Sequence, residues 1–512
     1  MLRINHRLLN MASVREQVTR AASSFFEKPL NFVDGVRVDA SQPTHSFVVE
    51  EPATGKQLCK CPSSGQEDVN KAVQSAREAF KSWSQLSGLD RGRLLQKAAL
   101  KLRERQEEFA RMESVDQGKP LWESRFDIET VIDGLEYFAG LAPSITGDHL
   151  PLQGGSFGIV KREPLGVCVG IGPWNYPVQM AGWKSAPALA CGNTMVYKPS
   201  QFTPITTVML AELYIEVGIP KGVFNVVQGE GETGRFLTCH PGVDKVSFTG
   251  SVPTGKKVMA DCALGIKHVT LELGGKSPLL IFADADMENA VKGAMMANFL
   301  TQGEVCCNGT RVFVERSIKD EFVEKLVSKT KGMKIGDPTK DGTMMGAVIS
   351  KEHKEKVLNY VQGAKKQGAK VLCGGESFKP DDPALSGGYY MTPCILDQVE
   401  DHMTVAKEEI FGPVLSLFTF DTEEEAVRRA NDSEFGLAAG VFTNDLKRAH
   451  RLSAQLEAGY VWVNNFNLNP VGLPFGGFKQ SGIGRENAAA TINQFTQQKS
   501  VYFEMGDVDC PY

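Results

Sequence analysis

The spacing of apolar residues changes several times along the chain, and each change marks a different kind of predicted element. Between residues 31 and 62, short runs rich in apolar residues predict strands, with a turn at Asp34-Gly35. From Val69 to Trp83, apolar residues recur every three or four positions, which predicts a helix with one buried face. The same spacing predicts one helix over 90–113, stopped by Gly118, and another over 123–139.

Short apolar runs alternate with helical patterns from Gly166 onward. The first run, Gly166–Ile171, lies between Pro164 and Gly172. Such alternation predicts a parallel sheet with helices on both faces, an architecture that binds dinucleotides at the carboxyl ends of its strands. Further strands are predicted at 194–197, 223–227, 245–248 and 269–271, and helices at 205–217, 232–237 and 252–262.

A second alternating series runs from residue 278 to residue 464, and we find no internal repeat or low-complexity segment. A chain of 512 residues is also too long for one compact core, so we expect two or three domains. Strands of this series are predicted at 278–282, 311–315, 370–373, 390–395, 414–420 and 460–464, and helices at 287–300, 319–331, 351–367, 423–431 and 445–456.

The composition is ordinary for a soluble globular protein, with 42% apolar and 23% charged residues. A net charge of −5 without a basic cluster argues against nucleic acid as a partner. No run of 18 apolar residues occurs, so we expect no membrane span. The 11 cysteines follow no framework of spacings and no histidine cluster accompanies them, which favours a reducing compartment and no metal site.

Two interpretations fit the first 20 residues. Four arginines and a histidine among leucines, against the single acid Glu16, weakly resemble a mitochondrial presequence. Met11 could equally be the working start instead of Met1, which would remove most of that signal. We favour a cytosolic (cytoplasmic) protein, with the mitochondrial matrix as the alternative.

Two adjacent cysteines, Cys306 and Cys307, lie on the connection between a predicted helix and a predicted strand. They follow Gly303-Glu304-Val305 and precede a polar Asn-Gly-Thr turn, a place where function tends to concentrate. Buried and inert cysteines are the alternative interpretation, and it is the usual one for an isolated cysteine.

Asn175 and Lys198 follow the first two strands of the predicted parallel sheet. Pro173 and Pro177 stiffen the loop around Asn175, whose amide could then serve as a fixed hydrogen-bond donor to an oxyanion. Lys198 ends its strand, where it could reach ribose hydroxyls or phosphate. The alternatives are a simple turn asparagine and a solvated surface lysine.

The segment Phe248–Gly255 ends a strand and begins a helix. Gly250 permits close backbone approach, Ser251 can cap the helix, and Pro253 suits its first turn. The free amides there would favour a pyrophosphate. The spacing of the glycines differs from the standard Rossmann fingerprint.

Two carboxylates adjoin glycine-containing breaks. Glu272 lies in an apolar strand just before Gly274-Gly275, where partial burial would raise its pKa and suit it to act as a general base near neutral pH. The alternative is that local backbone amides or Lys276 bind the carboxylate of Glu272. Glu409 precedes Phe411 and a Gly-Pro turn.

In this order and spacing, the motifs resemble the NAD(P)-dependent aldehyde dehydrogenase family over about residues 30–503. The most specific pieces are Leu271–Lys276 and Gly303–Cys306. Within the family, the chain is most similar to the animal subgroup of 4-trimethylaminobutyraldehyde and betaine-aldehyde dehydrogenases. The resemblance implies an α/β fold with a Rossmann-like, parallel-sheet NAD-binding domain (1–143 and 164–272), an α/β catalytic domain (273–485), and a small β oligomerisation arm with a C-terminal segment (144–163 and 486–512).

The resemblance also implies a mechanism in which Cys306 is the nucleophile and Cys307 has no covalent role. The Cys306 thiolate would attack the aldehyde carbon, and the amide of Asn175 and the N–H of Cys306 would hold the oxyanion of the thiohemiacetal. Loss of hydride to NAD would leave a thioester on Cys306. Glu272 would then activate the water that releases the carboxylic acid.

For the cofactor, the resemblance implies that Lys198 binds the adenosine ribose and Glu409 the nicotinamide ribose. Many NAD-preferring members carry a glutamate where this chain has Gln201, which offers no charge repulsion to a 2′-phosphate. Selectivity against NADP is therefore open, and we favour NAD. The implied cofactor residues are Lys198, Gly250, Ser251, Val252, Pro253, Thr254, Glu409, Phe411, Trp174 and Gln201.

Four aromatic residues are expected near the wall of a substrate tunnel: Tyr176, Trp183, Phe466 and Phe475. Aromatic faces would attract a quaternary ammonium by about 2 kcal/mol or more when desolvated, and a plain hydrophobic tunnel is the alternative. Asp127 and Glu129 could attract a cationic tail, or could simply complement the dipole of a solvated helix. The expected substrates are 4-trimethylaminobutyraldehyde, betaine aldehyde and aminoaldehydes, as in carnitine biosynthesis.

The expected assembly is a homotetramer, in which the arm at 144–163 and the strand near Ser500–Phe503 extend a neighbour's sheet. Three other functions remain as alternatives. A general aliphatic aldehyde dehydrogenase differs only in substrate. An acylating enzyme would pass the thioester to coenzyme A, which the Glu272 motif argues against. A non-catalytic, crystallin-like protein would not need Cys306, Glu272 and Asn175.

Overall fold

The apolar runs form two separate, mainly parallel sheets in the computed structural model, which describes residues 25, 30–41, 43 and 45–512. The first 20 residues, on which the presequence interpretation depends, lie outside the described residues. Within the described ranges, each helix is too short or too polar to cross a lipid bilayer.

The strands are β1 (Asn31–Val33), β2 (Val36–Val38), β3 (Ser46–Glu51), β4 (Lys56–Pro62), β5 (Asp148–Pro151), β6 (Phe157–Pro164), β7 (Val167–Ile171), β8 (Thr194–Lys198), β9 (Phe224–Val226), β10 (Lys245–Thr249), β11 (His268–Glu272), β12 (Pro278–Ile281), β13 (Arg311–Glu315), β14 (Lys370–Cys373), β15 (Cys394–Asp397), β16 (Val414–Phe420), β17 (Phe435–Gly436), β18 (Ala438–Phe442), β19 (Tyr460–Val463), β20 (Phe478–Lys479), β21 (Gly482–Ile483) and β22 (Thr496–Phe503). The α-helices span Gln66–Trp83, Gly88–Glu104, Gln106–Gln117, Leu121–Leu141, Pro177–Ala190, Ile205–Glu216, Gly231–Cys239, Val252–Ala263, Met287–Phe299, Lys319–Lys331, Lys351–Lys366, Thr404–Lys407, Glu423–Asn431, Leu446–Gln455 and Ile492–Phe495.

The first sheet has the strand order β2-β1-β9-β8-β7-β10-β11-β21 over the described residues. Its central strands, from β9 to β11, are parallel, whereas β1 and β21 pair antiparallel at its edges. The chain runs from β7 outward to β9 and then returns to β10 on the other side. The connections that follow β7 and β10 therefore lead to opposite sides of the sheet, and a sheet of this kind binds its ligand at such a point.

Helices cover both faces of the first sheet, as the alternating pattern predicts. The helices between Gly88 and Leu141, with Pro177–Ala190 and Ile205–Glu216, bury apolar residues against one face. Helices Gln66–Trp83 and Val252–Ala263 contribute to the apolar cluster on the opposite face. The predicted α/β class and parallel-sheet architecture are confirmed.

The second sheet has the order β14-β15-β16-β13-β12-β18-β19 in the part of the chain that is described. All its pairings are parallel except that of β14 with β15. The short strand β21 lies within the segment expected to be catalytic, yet it pairs with β11 and so extends the first sheet.

A third, antiparallel sheet consists of β5, β6 and β22. β22 pairs with β6 along its whole length, from Thr496 opposite Pro164 to Phe503 opposite Phe157. All four residues of β5 are exposed, as are the large apolar side chains of Leu150 and Tyr502. The segments expected to form an arm do join into one sheet with a solvent-facing apolar surface.

Two predicted elements are wrong, and several others were not predicted. The helix predicted over 90–113 is two helices, because the backbone leaves the helical conformation at Arg105, after which the chain buries the whole of 112–117. The strand predicted over 390–395 begins only at Cys394, because Pro393 has no N–H to pair. The helix Pro177–Ala190 and the strand β18 were not predicted.

Candidate active site

A cavity of about 810 Å³ lies at the carboxyl ends of β7, β8, β10 and β11. Its wall contains Cys306, Glu272 and Asn175, together with eight of the ten expected cofactor residues. The other two, Val252 and Pro253, form the first turn of helix Val252–Ala263 and do not line the cavity. The fold therefore brings the predicted chemistry to the point where the strand order diverges.

The loop that carries Cys306 begins with three consecutive left-handed residues. Thr301 and Gln302 have φ of 48° and 54°, and Gly303 has φ of 74°. Such a conformation costs a residue other than glycine about 1–3 kcal/mol, and a β-branched threonine rarely adopts it. At Gly303 a Cβ would stand 2.2 Å from the carbonyl carbon of Gly412, so only glycine fits there.

Asn175 is tied to this loop. Its Nδ2 donates a hydrogen bond of 2.8 Å to the backbone oxygen of Glu304, and its side chain is buried. A carboxamide nitrogen has two N–H groups, so one remains for a further acceptor. A simple turn asparagine would bond only to its own turn, whereas Asn175 bonds to a residue 129 positions away.

The two adjacent cysteines have different environments. Cys306 is partly exposed and lines the cavity, whereas Cys307 is buried and its thiol donates to Oδ1 of Asn467 at 3.3 Å. A hydrogen bond with Cys307, together with burial, raises the pKa of Cys306. The Cys306 thiol must therefore lose its proton to a base before it can act as a nucleophile.

Glu272 is buried, and neither of its carboxylate oxygens has a hydrogen-bond partner among the described residues. Burial raises its pKa well above the ordinary value, and the nearby Glu486 raises it further, while Lys184 opposes both. The ammonium of Lys276 is likewise without a hydrogen-bond partner in the described part of the chain. The alternative in which local amides or Lys276 satisfy Glu272 is therefore wrong.

The pair of Lys184 and Glu486 was missed in the sequence. Lys184 Nζ contacts Glu486 Oε1 and donates to Ser247 Oγ at 3.1 Å, and all three side chains are buried. The sequence feature that could have revealed this pair is the lysine within the mostly apolar segment Pro177–Ala190. A lysine in such a run requires a partner when the helix is buried.

One end of the cavity contains Lys198. Its Nζ donates to the backbone oxygens of Pro199 at 2.8 Å and Gly229 at 2.6 Å, and burial lowers its pKa to about 8. The alternative of a solvated surface lysine is therefore wrong. One N–H of the ammonium remains for a ligand, and Gln201 lines the same end.

Ser251 begins helix Val252–Ala263 but does not cap it as predicted. Its hydroxyl donates to Oγ1 of Thr254 at 3.0 Å, and no side chain accepts from the first backbone amides. The free amides of that turn lie at the positive end of the helix dipole, which favours an anion. Together with Lys198 and a cavity of about 810 Å³, these donors fit a dinucleotide.

The other end of the cavity is acidic and aromatic. Glu409 accepts a hydrogen bond from the N–H of Gly275 at 3.1 Å, and burial raises its pKa to about 7. Trp174 and Phe411 make an edge-to-face contact at 5.2 Å. His353, which was not predicted, donates to the backbone oxygen of Phe411 at 2.6 Å, and burial lowers its pKa to about 4, so it is neutral.

The four expected tunnel aromatics lie in one apolar cluster with Cys306. Trp183, Phe466 and Phe475 are buried there, and Tyr176 packs at its edge. Tyr460 and Trp462, which were not predicted, belong to the same cluster, with ring centres 4.6 Å apart and planes tilted by 41°. The ammonium of Lys119 stands 3.9 Å from the ring centre of Tyr176, so an internal cation already covers part of that ring.

The two acidic residues expected near the tunnel already have cationic partners. Asp127 is buried and pairs with the buried Lys119 at 2.5 Å, so it does not lie on a solvated helix face. Glu129 is paired with Arg103 at 2.9 Å near the surface.

Comparison with known proteins agrees with this arrangement. Residues 38–501 match the Aldehyde dehydrogenase family. The human 4-trimethylaminobutyraldehyde dehydrogenase is 58% identical over 485 residues, which cover 95% of this chain and 98% of that protein. The bovine 4-trimethylaminobutyraldehyde dehydrogenase is 59% identical over 485 residues, with coverage of 95% and 98%.

Solved structures show the same likeness in three dimensions. A betaine aldehyde dehydrogenase from Staphylococcus aureus in complex with NAD+ superposes with a TM-score of 0.92 at 37% identity, covering 97% of this chain and 99% of that one. An NAD+ complex of an aldehyde dehydrogenase from Bacillus cereus superposes with a TM-score of 0.91 at 40% identity, covering 95% and 99%.

Proposed function

The chain belongs to the aldehyde dehydrogenase family, and we propose that it oxidises a trimethylammonium or amino aldehyde to the carboxylic acid with NAD. The observation that carries this proposal is the cavity in which the partly exposed Cys306 meets Asn175 and the buried Glu272. A nucleophile, a fixed oxyanion donor and a base of raised pKa are what acyl chemistry on an aldehyde requires.

The first step is attack by the Cys306 thiolate on the aldehyde carbon, which forms a thiohemiacetal. The negative charge on the aldehyde oxygen is stabilised by the N–H of Asn175 that is not bonded to Glu304, and by the backbone N–H of Cys306. Because the hydrogen bond to Glu304 fixes the amide in place, little reorganisation is needed when that charge develops.

NAD, when bound, would accept the hydride. Loss of hydride from the thiohemiacetal leaves a thioester on Cys306. Glu272 then removes a proton from water, which attacks the thioester, releases the carboxylic acid and returns the thiol of Cys306. A buried carboxylate of raised pKa can carry this proton and pass it on.

The residues proposed to hold NAD line the cavity from end to end. Lys198 and Gln201, which line one end of the cavity, would hold the adenosine ribose, and the free amides in the first turn of helix Val252–Ala263 would hold the pyrophosphate. Glu409 would hold the nicotinamide ribose, with Trp174 and Phe411 lining the same end of the cavity.

The proposed substrates are 4-trimethylaminobutyraldehyde, betaine aldehyde and aminoaldehydes, which would place the protein in carnitine biosynthesis. Two observations support this choice: relatives at 58% and 59% identity bear the name of the first substrate, and aromatic side chains cluster beside Cys306. Aromatic faces attract quaternary ammonium groups. Comparison of kcat/KM for these aldehydes and a neutral aliphatic aldehyde tests the choice, and equal values would favour a general aliphatic enzyme.

The proposed assembly is a homotetramer in which the sheet of β5, β6 and β22 adds to a neighbour's sheet. The exposed apolar side chains of Leu150, Tyr502 and Phe503 support it, and the mass in solution tests it. We also propose the cytosol as the compartment, and the domain boundaries given above, with the two large sheets as their centres.

One assay separates the proposed reaction from its rivals. The protein is mixed with NAD and an aldehyde, and NADH absorbance is followed with and without coenzyme A. NADH formation that does not depend on coenzyme A supports hydrolysis of the thioester. A requirement for coenzyme A would indicate an acylating enzyme, and no NADH with any aldehyde would indicate a non-catalytic protein.

A further inference from the structure

The three left-handed residues before Cys306, at positions 301–303, are stabilised by a side chain from a distant helix. Glu123 lies in the first turn of helix Leu121–Leu141, with its side chain buried. Its Oε2 accepts hydrogen bonds from the backbone N–H and from the hydroxyl of Thr301, both at 2.8 Å. A single carboxylate oxygen therefore fixes both the backbone and the side chain of the residue whose conformation is least favourable.

The same hydroxyl connects Glu123 to the loop of Asn175. The phenol of Tyr176 lies 3.0 Å from Thr301 Oγ1. Because that hydroxyl gives its proton to Glu123, it accepts the proton of Tyr176. Tyr176 directly follows Asn175, so Thr301 links the two loops that meet at the cavity.

Downstream of Thr301, the loop is fixed again at Glu304. The Glu304 carboxylate accepts hydrogen bonds from Gln117 Nε2 at 3.0 Å and from the N–H of Ile349 at 2.9 Å. Its backbone oxygen accepts the amide of Asn175. The conformation of the three residues between Leu300 and Glu304 therefore decides where Cys306 lies relative to Asn175.

We propose that Glu123 is a positioning residue for Cys306: it holds Thr301 in the left-handed conformation and thereby sets the Cys306 sulfur against the Asn175 amide. The proposal rests on the proposed function, in which these two groups are nucleophile and oxyanion donor. Glu123 acts only through Thr301 and touches neither the aldehyde nor NAD.

The first test replaces Glu123 and compares kcat with KM. Glu123→Ala should lower kcat about 100-fold, the loss that a misplacement of about 1 Å can cause, for cationic and neutral aldehydes alike, with KM for NAD unchanged. Glu123→Gln should keep most of kcat, because its amide oxygen can accept both hydrogen bonds. Asp133→Ala is the matched control, an exposed acid of the same helix, and should leave kcat unchanged.

A second variant tests the backbone directly. Glycine adopts the left-handed conformation without a steric penalty, so Thr301→Gly added to Glu123→Ala should restore kcat by about tenfold. Thr301→Val, which replaces the hydroxyl by a methyl group, should lower kcat by about tenfold in the otherwise native chain, through the loss of the hydrogen bonds that this hydroxyl makes with Glu123 and Tyr176. If Glu123→Ala does not fold, Thr301→Val alone tests the proposal.

Active sites are counted as the difference in iodoacetamide alkylation between each variant and the same variant carrying Cys306→Ala, because Cys239 and Cys510 are exposed thiols as well. The kcat is then expressed per site. The proposal is overturned if kcat per site in Glu123→Ala stays within about threefold of native, or if only the cationic aldehyde is affected, which would assign Glu123 to substrate charge. It is also overturned if Thr301→Gly restores nothing, or if Thr301→Val is fully active. A native chain that makes no NADH at all would instead contradict the proposed function.

Discussion

The side-chain amide of Asn175 donates a hydrogen bond of 2.8 Å to the backbone oxygen of Glu304, two residues before Cys306. Asn175 follows β7 of the first sheet, and Glu304 lies just before β13 of the second. One side chain therefore joins the two α/β units at the cavity. The same contact leaves the second N–H of the amide to face the place where an oxyanion would form.

Replacement of Asn175 by alanine should remove that donor. We expect kcat/KM for the aldehyde to fall about 100- to 1000-fold, equivalent to about 2.7–4 kcal/mol of transition-state stabilisation. The binding of NAD, measured by fluorescence titration, should change little. Asn359→Ala, an exposed asparagine of helix Lys351–Lys366, is the control and should behave as the native protein. A loss of less than about threefold would contradict the oxyanion role.

The adjacent cysteines should respond differently to substitution. Cys306→Ala should abolish NADH formation, because no other thiol of the described residues lines the cavity. Cys307→Ala should keep most of it, since that thiol points away towards Asn467, and should lower the melting temperature through the loss of a buried group. Steady-state rates and thermal unfolding of both variants check this. Full activity of Cys306→Ala would overturn the mechanism.

Cofactor selectivity should depend on residue 201. Gln201 lines the cavity together with Lys198, at the end where we propose that the adenosine ribose binds, and a carboxylate there would repel the 2′-phosphate of NADP. We expect Gln201→Glu to raise the ratio of kcat/KM for NAD over NADP by about tenfold, which is about 1.4 kcal/mol. Gln362→Glu, an exposed position of helix Lys351–Lys366, adds the same charge elsewhere. An unchanged ratio would place the discrimination at another residue.

Much of the architecture follows from local sequence patterns, because an apolar strand or an amphipathic helix is specified within a few residues. The strands β13 and β16 and the helices Lys319–Lys331 and Glu423–Asn431 have the predicted bounds. The helix break at Arg105 was not predicted. The residues after it, 112–117, are buried against distant parts of the chain, which a local pattern does not reveal. The motifs that contain Asn175, Lys198 and Glu272 could also be found, because each lies next to a strand that its own apolar pattern predicts.

The environment of the site could not be predicted in this way. Lys184 and Glu486 are 302 positions apart, and only the fold brings them beside Glu272. The left-handed Thr301 is contrary to the local preference of a β-branched residue, and Glu123, 178 positions away, stabilises it. Sequence motifs identify the reacting groups, whereas the charges and contacts that set their pKa and position come from tertiary structure.

Glu272 should give the reaction an alkaline requirement. Burial and the charge of Glu486 raise its pKa, and a general base works only when it is ionised, so the steady-state rate should fall as pH drops through a value well above that of an exposed carboxyl group. Glu272→Gln should slow hydrolysis about 100- to 10,000-fold while the first turnover still releases a burst of NADH, and should remove this pH dependence. Stopped-flow absorbance across pH separates the two phases. A variant without a burst, or with the native pH profile, would show that Glu272 is not the hydrolytic base.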